Sequence, residues 1–207
     1  RVELEHQYAD GYCLRFRAGD RACRISFYGK NERPDAKFSW DECQLFEFQP
    51  QDNRLLAAVL KGWLCDQWPP PAVRREFRWL KMGELADYYE SGLPVEGEFI
   101  QSWDHIEEFY RQDWCNFSGP VLTLIRAMRF AGYDRLLRAG QSMTSLGLSR
   151  SRRHGMRPDQ PCLWFHFYDS IMDVHAQFAS ATLKRHPVQF TTDLQRLLDA
   201  LASREID

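Results

Sequence analysis

The sequence predicts an α+β fold: N-terminal antiparallel strands, a helical middle, C-terminal antiparallel strands and a final helix. Three observations carry this. Apolar residues alternate with a period of two over 12–28 and weakly over 36–48. From Asp52 the period lengthens to about 3.6 and holds as far as Met128. Period two returns over 141–178, and a leucine stripe at 194–201 closes the chain. Strands and helices in separate runs argue against a parallel α/β sheet.

The elements follow in order. Tyr12, Leu14 and Phe16 alternate with Cys13, Arg15 and Arg17; Gly19-Asp20 makes a turn, and Ile25 and Phe27 alternate with Arg24, Ser26 and Tyr28. This is a half-buried antiparallel hairpin. Ala36–Trp40 and Gln44–Phe48 are further strands. Leu55, Leu56, Val59, Leu60, Trp63 and Leu64 make one helical face, with Asp52 or Asn53 as N-cap. Pro69-Pro70-Pro71 stops that helix and starts another at Ala72. Gly83–Glu90 is a short helix closed by Ser91-Gly92. Phe99, Trp103, Ile106 and Tyr110 form the apolar stripe of a helix ringed by acids. Pro120 opens the next helix, Val121, Leu124, Ile125 and Met128 form its stripe, and Gly132 sits past its end. Tyr133–Arg138 reads as a short helix, and Gln141–Ser149, Cys162–Tyr168 and Met172–Phe178 as strands. A helix after Thr191-Thr192 buries Leu194, Leu197, Leu198 and Leu201.

We read the 207 residues as a single domain, with a sub-division into strands (1–50), helices (51–140) and strands plus helix (141–207). Aromatic residues make up 14%, a large apolar surface to bury, which excludes a disordered chain. No apolar run approaches the ~20 residues that cross a bilayer, so no membrane role is expected. The six cysteines (13, 23, 43, 65, 115 and 162) are scattered, with no C-x-x-C. They match neither a disulfide framework nor a zinc module, and a cytoplasmic location is expected.

Charge is the most uneven property. Residues 84–113 hold nine acidic side chains and one basic one, while 126–157 hold eight arginines against Asp134 alone; the whole chain is only −2. Such blocks bear on partners and surface fields. Arg150, Arg152, Arg153, His154 and Arg157 lie in one loop between strands. With Glu96, Asp104, Glu107 and Glu108 of the acidic helix they form the candidate partner-binding set. A structural reading competes: the two blocks pair inside the molecule. Nucleic acid is a further reading, since guanidinium groups bind phosphate, but the near-neutral total argues against it.

A second candidate lies on the hairpin Cys162–Phe178. With Asp169-Ser170 as a two-residue turn, His166 faces Asp173 and Trp164 faces His175. Leu163, Phe165, Phe167, Met172 and Val174 then share the core side. His166, Asp173 and His175 share the other, where they would bind a small ligand or a metal, or act as acid and base. The commoner use of such a face is local pairing. No metal and no cofactor are expected, because neither Cys nor His shows ligand spacing.

Two stretches carry a resemblance. One is Leu56-Ala57-Ala58-Val59 through Trp63-Leu64, then Phe77, Ala86 to Glu90, Gly92 and Trp103. The other is Leu136-Leu137-Arg138-Ala139 through Ser142 and Ser145-Leu146-Gly147-Leu148-Ser149-Arg150. Together they resemble a family of uncharacterised bacterial, largely actinobacterial, proteins labelled as associated with natural-product biosynthesis. The resemblance implies no activity and no catalytic residues. The expectation is therefore a non-enzymatic recognition protein that binds another protein through charged surfaces, as a biosynthetic accessory or an immunity-type antagonist. An enzyme or ligand binder built on the histidine face is the alternative.

Overall fold

Five strands in a simple meander make the first sheet: β1 (Val2–Tyr8), β2 (Gly11–Ala18), β3 (Arg21–Tyr28), β4 (Asp35–Trp40) and β5 (Cys43–Phe48), in a computed structural model of the chain. The structure describes residues 2–8, 11–28, 33–112, 116–152, 159–179 and 181–206, with nothing on the side chains of 5–8 and 181. It divides into two units, Arg1–Pro94 and Val95–Asp207. The division falls inside the helical middle, away from both changes of period.

In the first unit the register sets Phe16, Cys23, Phe38 and Phe46 side by side, so one face of the sheet is apolar. Phe38 stacks on Phe46 at 4.6 Å between ring centroids. That face packs on α1 (Asn53–Leu60), its π-helical continuation Lys61–Cys65, α2 (Pro70–Glu76) and α3 (Leu85–Glu90). Asp52 caps α1 as expected, its Oδ1 accepting from the Leu55 N–H at 2.7 Å. The fully buried Trp63 donates Nε1–H to the Ser39 carbonyl. Arg21 is buried among these aromatics. Its guanidinium lies over Trp40 and Trp63, at 4.4 and 4.3 Å, and donates to the Trp63 and Trp68 carbonyls. A cation is tolerated there because ring faces and carbonyls replace its water.

In the second unit the sheet order is β10-β9-β8-β7-β6. Its strands are β6 (Arg138–Ser142), β7 (Ser145–Ser149), β8 (Cys162–Tyr168), β9 (Ile171–Ala176) and β10 (Ala181–Pro187). Three helices accompany them: α4 (Pro94–Arg111), α5 (Ser118–Phe130) and α6 (Thr192–Ala202). Trp103, Ile106, Tyr110, Leu124, Ile125 and Leu198 join Leu146, Leu163, Phe165 and Val174 in one core. Trp103 Nε1–H donates to the Leu137 carbonyl at 2.7 Å, and Ser102 Oγ accepts from the Ala139 N–H at 2.9 Å. These bonds dock α4 on the start of β6. Among the described residues no helix is long and apolar enough to cross a membrane.

The α+β order holds, with local differences. The stretch 141–149 is two strands, because Met143 takes a left-handed φ of 52° and turns the chain. A turn built on Met-Thr lacks the Gly or Asn that usually announces one. Tyr133–Arg135 is a single 3-10 turn, and β6 begins at Arg138, where a short helix was expected to end. Strands β1 and β10 were not among the expected elements, although Val2, Leu4 and Tyr8 alternate with Glu3, Glu5 and Gln7 in β1. Helix α2 starts at Pro70, with proline at its first positions. Gly132, at φ 86°, ends α5 as its position predicts.

Candidate functional site

Helices α4 and α5 bring the acidic block against part of the basic one. Arg129 is the hub. It reaches Asp104 at 2.7 Å, Glu107 at 3.1 Å and Asp134 at 3.4 Å. Arg126 adds a bond to Glu107 at 3.0 Å, Arg111 pairs with Glu107 and Glu108, and Arg135 meets Glu96 at 3.1 Å. Burial alone would raise the Glu107 carboxyl; the hydrogen bond from Arg126 and the charges of Arg126, Arg129 and Arg111 outweigh it and hold it below its ordinary range. Arg129 is likewise held above its ordinary value, its acidic partners outweighing burial. Among the described residues, the four acids of the candidate set are therefore paired with α5, the 3-10 turn and Arg111.

Two loop arginines, Arg150 and Arg152, have other partners. Arg152 forks onto Glu98, with contacts of 2.9, 3.1 and 3.3 Å. The Glu98 side chain is 2% exposed and that of Arg152 25%. The Arg138 guanidinium donates to the Arg152 carbonyl. Arg150 donates to the carbonyls of Arg204 and Leu136, both at 2.8 Å, and burial lowers its pKa. Arg152 thus does not stand free in solvent as a partner-binding loop residue would; its head group compensates a buried carboxylate. Arg153, His154 and Arg157 lie outside the described residues.

The hairpin of β8 and β9 has the register its alternation predicts. Tyr168 faces Ile171, Phe167 faces Met172, His166 faces Asp173, Phe165 faces Val174 and Trp164 faces His175. Phe165, Phe167 and Val174 are buried; His166 and His175 share the other face, with ring centroids 5.4 Å apart. The three candidate residues are brought together but not into a relay. Asp173 Oδ1 accepts the backbone N–H of Arg185 at 2.7 Å, and His166 Nδ1 pairs with Ser145 Oγ at 2.9 Å. Among the described residues no group of three His, Cys, Asp or Glu could hold a metal ion.

Three participants stand outside the candidate site residues read from the sequence. Glu98 stands at i+2 from Glu96, and that spacing turns it inward. Ser145 pairs with His166 through β7, a strand whose start depends on the Met143 turn. Phe130 is 96% exposed at the end of α5, off the stripe Val121, Leu124, Ile125 and Met128 that faces the core. No family model, no curated protein and no solved structure matches this chain.

Proposed function

We propose that this chain is a non-enzymatic recognition protein that binds another protein through the face formed by α4 and α5. The observation that carries this reading is Phe130, a phenyl ring 96% exposed beside a belt of ion-paired charge. Arg126, one helical turn before it, is 59% exposed at its side chain, and Asp104 and Glu108 stand 50% and 58% exposed. An aromatic with arginine inside a polar rim is the composition of an interface hot spot. Burying such a ring contributes about 1.5–3 kcal/mol, roughly ten- to hundredfold in affinity. The internal pairing holds these charges in fixed positions, so a partner meets an ordered pattern instead of mobile side chains. Within this reading the charged recognition surface moves from the Arg150–Arg157 loop to the helices. The role as biosynthetic accessory or immunity-type antagonist, in a cytoplasmic setting, stays with the resemblance.

The test is affinity capture from source cells with the wild type, Phe130→Ser and Arg126→Glu, read by quantitative mass spectrometry. At least one protein retained by the wild type should fall about tenfold or more with both variants, while melting temperatures change little. Equal capture by all three chains refutes the assignment of this face. Nucleic acid retained with a steep salt dependence favours the phosphate-binding reading instead.

A further inference from the structure

The ion pairs between α4 and the chain from α5 onward run in opposite order along the sequence. Glu107 meets Arg126, Asp104 meets Arg129 and Glu96 meets Arg135. The two helices therefore lie antiparallel, and each pair marks one level of the hairpin they form. Trp103, Ile106 and Tyr110 of α4 and Val121, Leu124, Ile125 and Met128 of α5 turn to the core. On a period of 3.6 residues the opposite face of α4 carries Gln101, Asp104 and Glu108. That of α5 carries Thr123, Arg126 and Phe130, and all six are exposed.

Charge on this face is divided by helix. Over these levels α4 contributes Asp104, Glu107 and Glu108 against Arg111, while α5 contributes Arg126 and Arg129 and has no acid. His105 falls on the flank of α4 away from α5, and Glu96 and Arg135 pair with each other beyond the end of α5. The face is neutral as a whole, with an acidic stripe beside a basic one. A partner of one sign, such as nucleic acid or an acidic peptide, is attracted by one helix and repelled by the other. A complementary partner presents the reverse pattern, and a second copy turned by a two-fold axis presents it.

We propose that the α4–α5 face is where two copies of this chain pair, each α5 lying on the partner's α4. The proposal rests on the reading of this face as a binding surface and names its occupant. Charge selects the geometry. A two-fold axis parallel to the helices brings α5 over the partner's α4 at matching levels. Arg126, its side chain 59% exposed, then meets the partner's Asp104 and the partner's Glu108, and Arg111 meets the partner's Thr123. A two-fold axis across the helices instead lays α4 on α4 and α5 on α5, which opposes like charges. In the first arrangement Phe130, just past the level of Arg129 and Asp104, is covered beside the partner's Gln101. Both phenyl rings, 96% exposed in the single chain, leave water together. The 13 residues of α5 span about 20 Å, so the contact is at the small end of specific interfaces and the dimer is reversible.

The test is sedimentation equilibrium of the full chain from about 1 µM to about 500 µM, the range in which small interfaces assemble. The weight-average mass should rise with concentration toward twice that of the chain, and added salt should weaken the dimer. Phe130→Ser, Arg126→Glu and Glu108→Lys should each weaken it about tenfold or more. An equal mixture of Arg126→Glu and Glu108→Lys should recover association, because each mutated charge then meets its opposite across one half of the interface. Phe130→Ser removes a ring that packs on nothing in the single chain, so it reports on association whatever the charge variants do to folding. A wild type that stays monomeric throughout overturns the proposal. So does a dimer equally stable in all three variants, or a mixture that associates no better than either variant alone. A monomeric wild type that still loses a captured protein on Phe130→Ser removes the second copy as occupant and leaves the face as a binding surface.

Discussion

Replacing Arg152 with alanine is expected to destabilise the second unit by about 3 kcal/mol. Glu98 sits on the buried side of α4 with 2% of its side chain exposed, and Arg152 contacts its two oxygens at 2.9, 3.1 and 3.3 Å. Removing one member of a buried pair typically costs about 3–5 kcal/mol, because the other charge is left in a poorly hydrated site. The lower end applies here, since Arg152 keeps 25% of its side chain exposed and water can partly replace it. Three kcal/mol is roughly two orders of magnitude in the folded-to-unfolded ratio. It corresponds to about 6–12 °C in melting temperature for a chain of this size. Urea unfolding followed by tryptophan fluorescence gives the free energy, and a double-mutant cycle with Glu98→Gln isolates the pair. Glu98→Gln combined with Arg152→Ala should cost less than the two single changes added together. A single Arg152→Ala change within about 1 kcal/mol of wild type, together with an additive cycle, would refute the reasoning. Arg152 would then be an ordinary exposed arginine, and its loop would return as a candidate for partner binding.

Two further outcomes follow from the packing. Arg21→Ala should cost about 3 kcal/mol in the first unit, because two buried carbonyls and two indole faces lose their donor and cation. Arg21→Lys should restore only part of this in urea unfolding, since an ammonium cannot stack or fork; full recovery would contradict the stacked geometry. The Tyr133 hydroxyl donates to Asp199 Oδ1 at 2.5 Å, and burial first, then this bond and the Asp199 charge, raise its pKa well above the usual tyrosine value. A raised folded-state pKa means that its contribution is fully present below about pH 10 and is lost as pH rises from there toward the folded value. Tyr133→Phe should remove that share of the alkaline loss, making stability fall less steeply above about pH 10 by up to ~1.4 kcal/mol per pH unit. Identical alkaline slopes for wild type and variant would show that Tyr133 does not resist ionisation in the folded state.

Local periodicity determined much of this protein. The alternation on both sides of Asp169-Ser170 set the register of β8 and β9, because a slip of one residue would turn Phe165 and Val174 to solvent. The stripes of α4, α5 and α6 and the Asp52 cap are equally local, depending on residues within a turn or two of one another. Tertiary structure decided what the charges do. Eight arginines in one stretch read as a binding surface, yet Arg129 gathers three acids, Arg152 compensates a buried glutamate and Arg150 ties down two carbonyls. The physical reason is range. A guanidinium pairs with whatever carboxylate or carbonyl the fold brings within about 3 Å, and that partner can be 54 residues away, as Glu98 is from Arg152. The same holds for Trp164, whose flat lie over Gly147 depends on a neighbouring strand with no side chain at that point. Sequence patterns report which side of an element faces the core; only the packed chain shows which polar groups the core has already engaged.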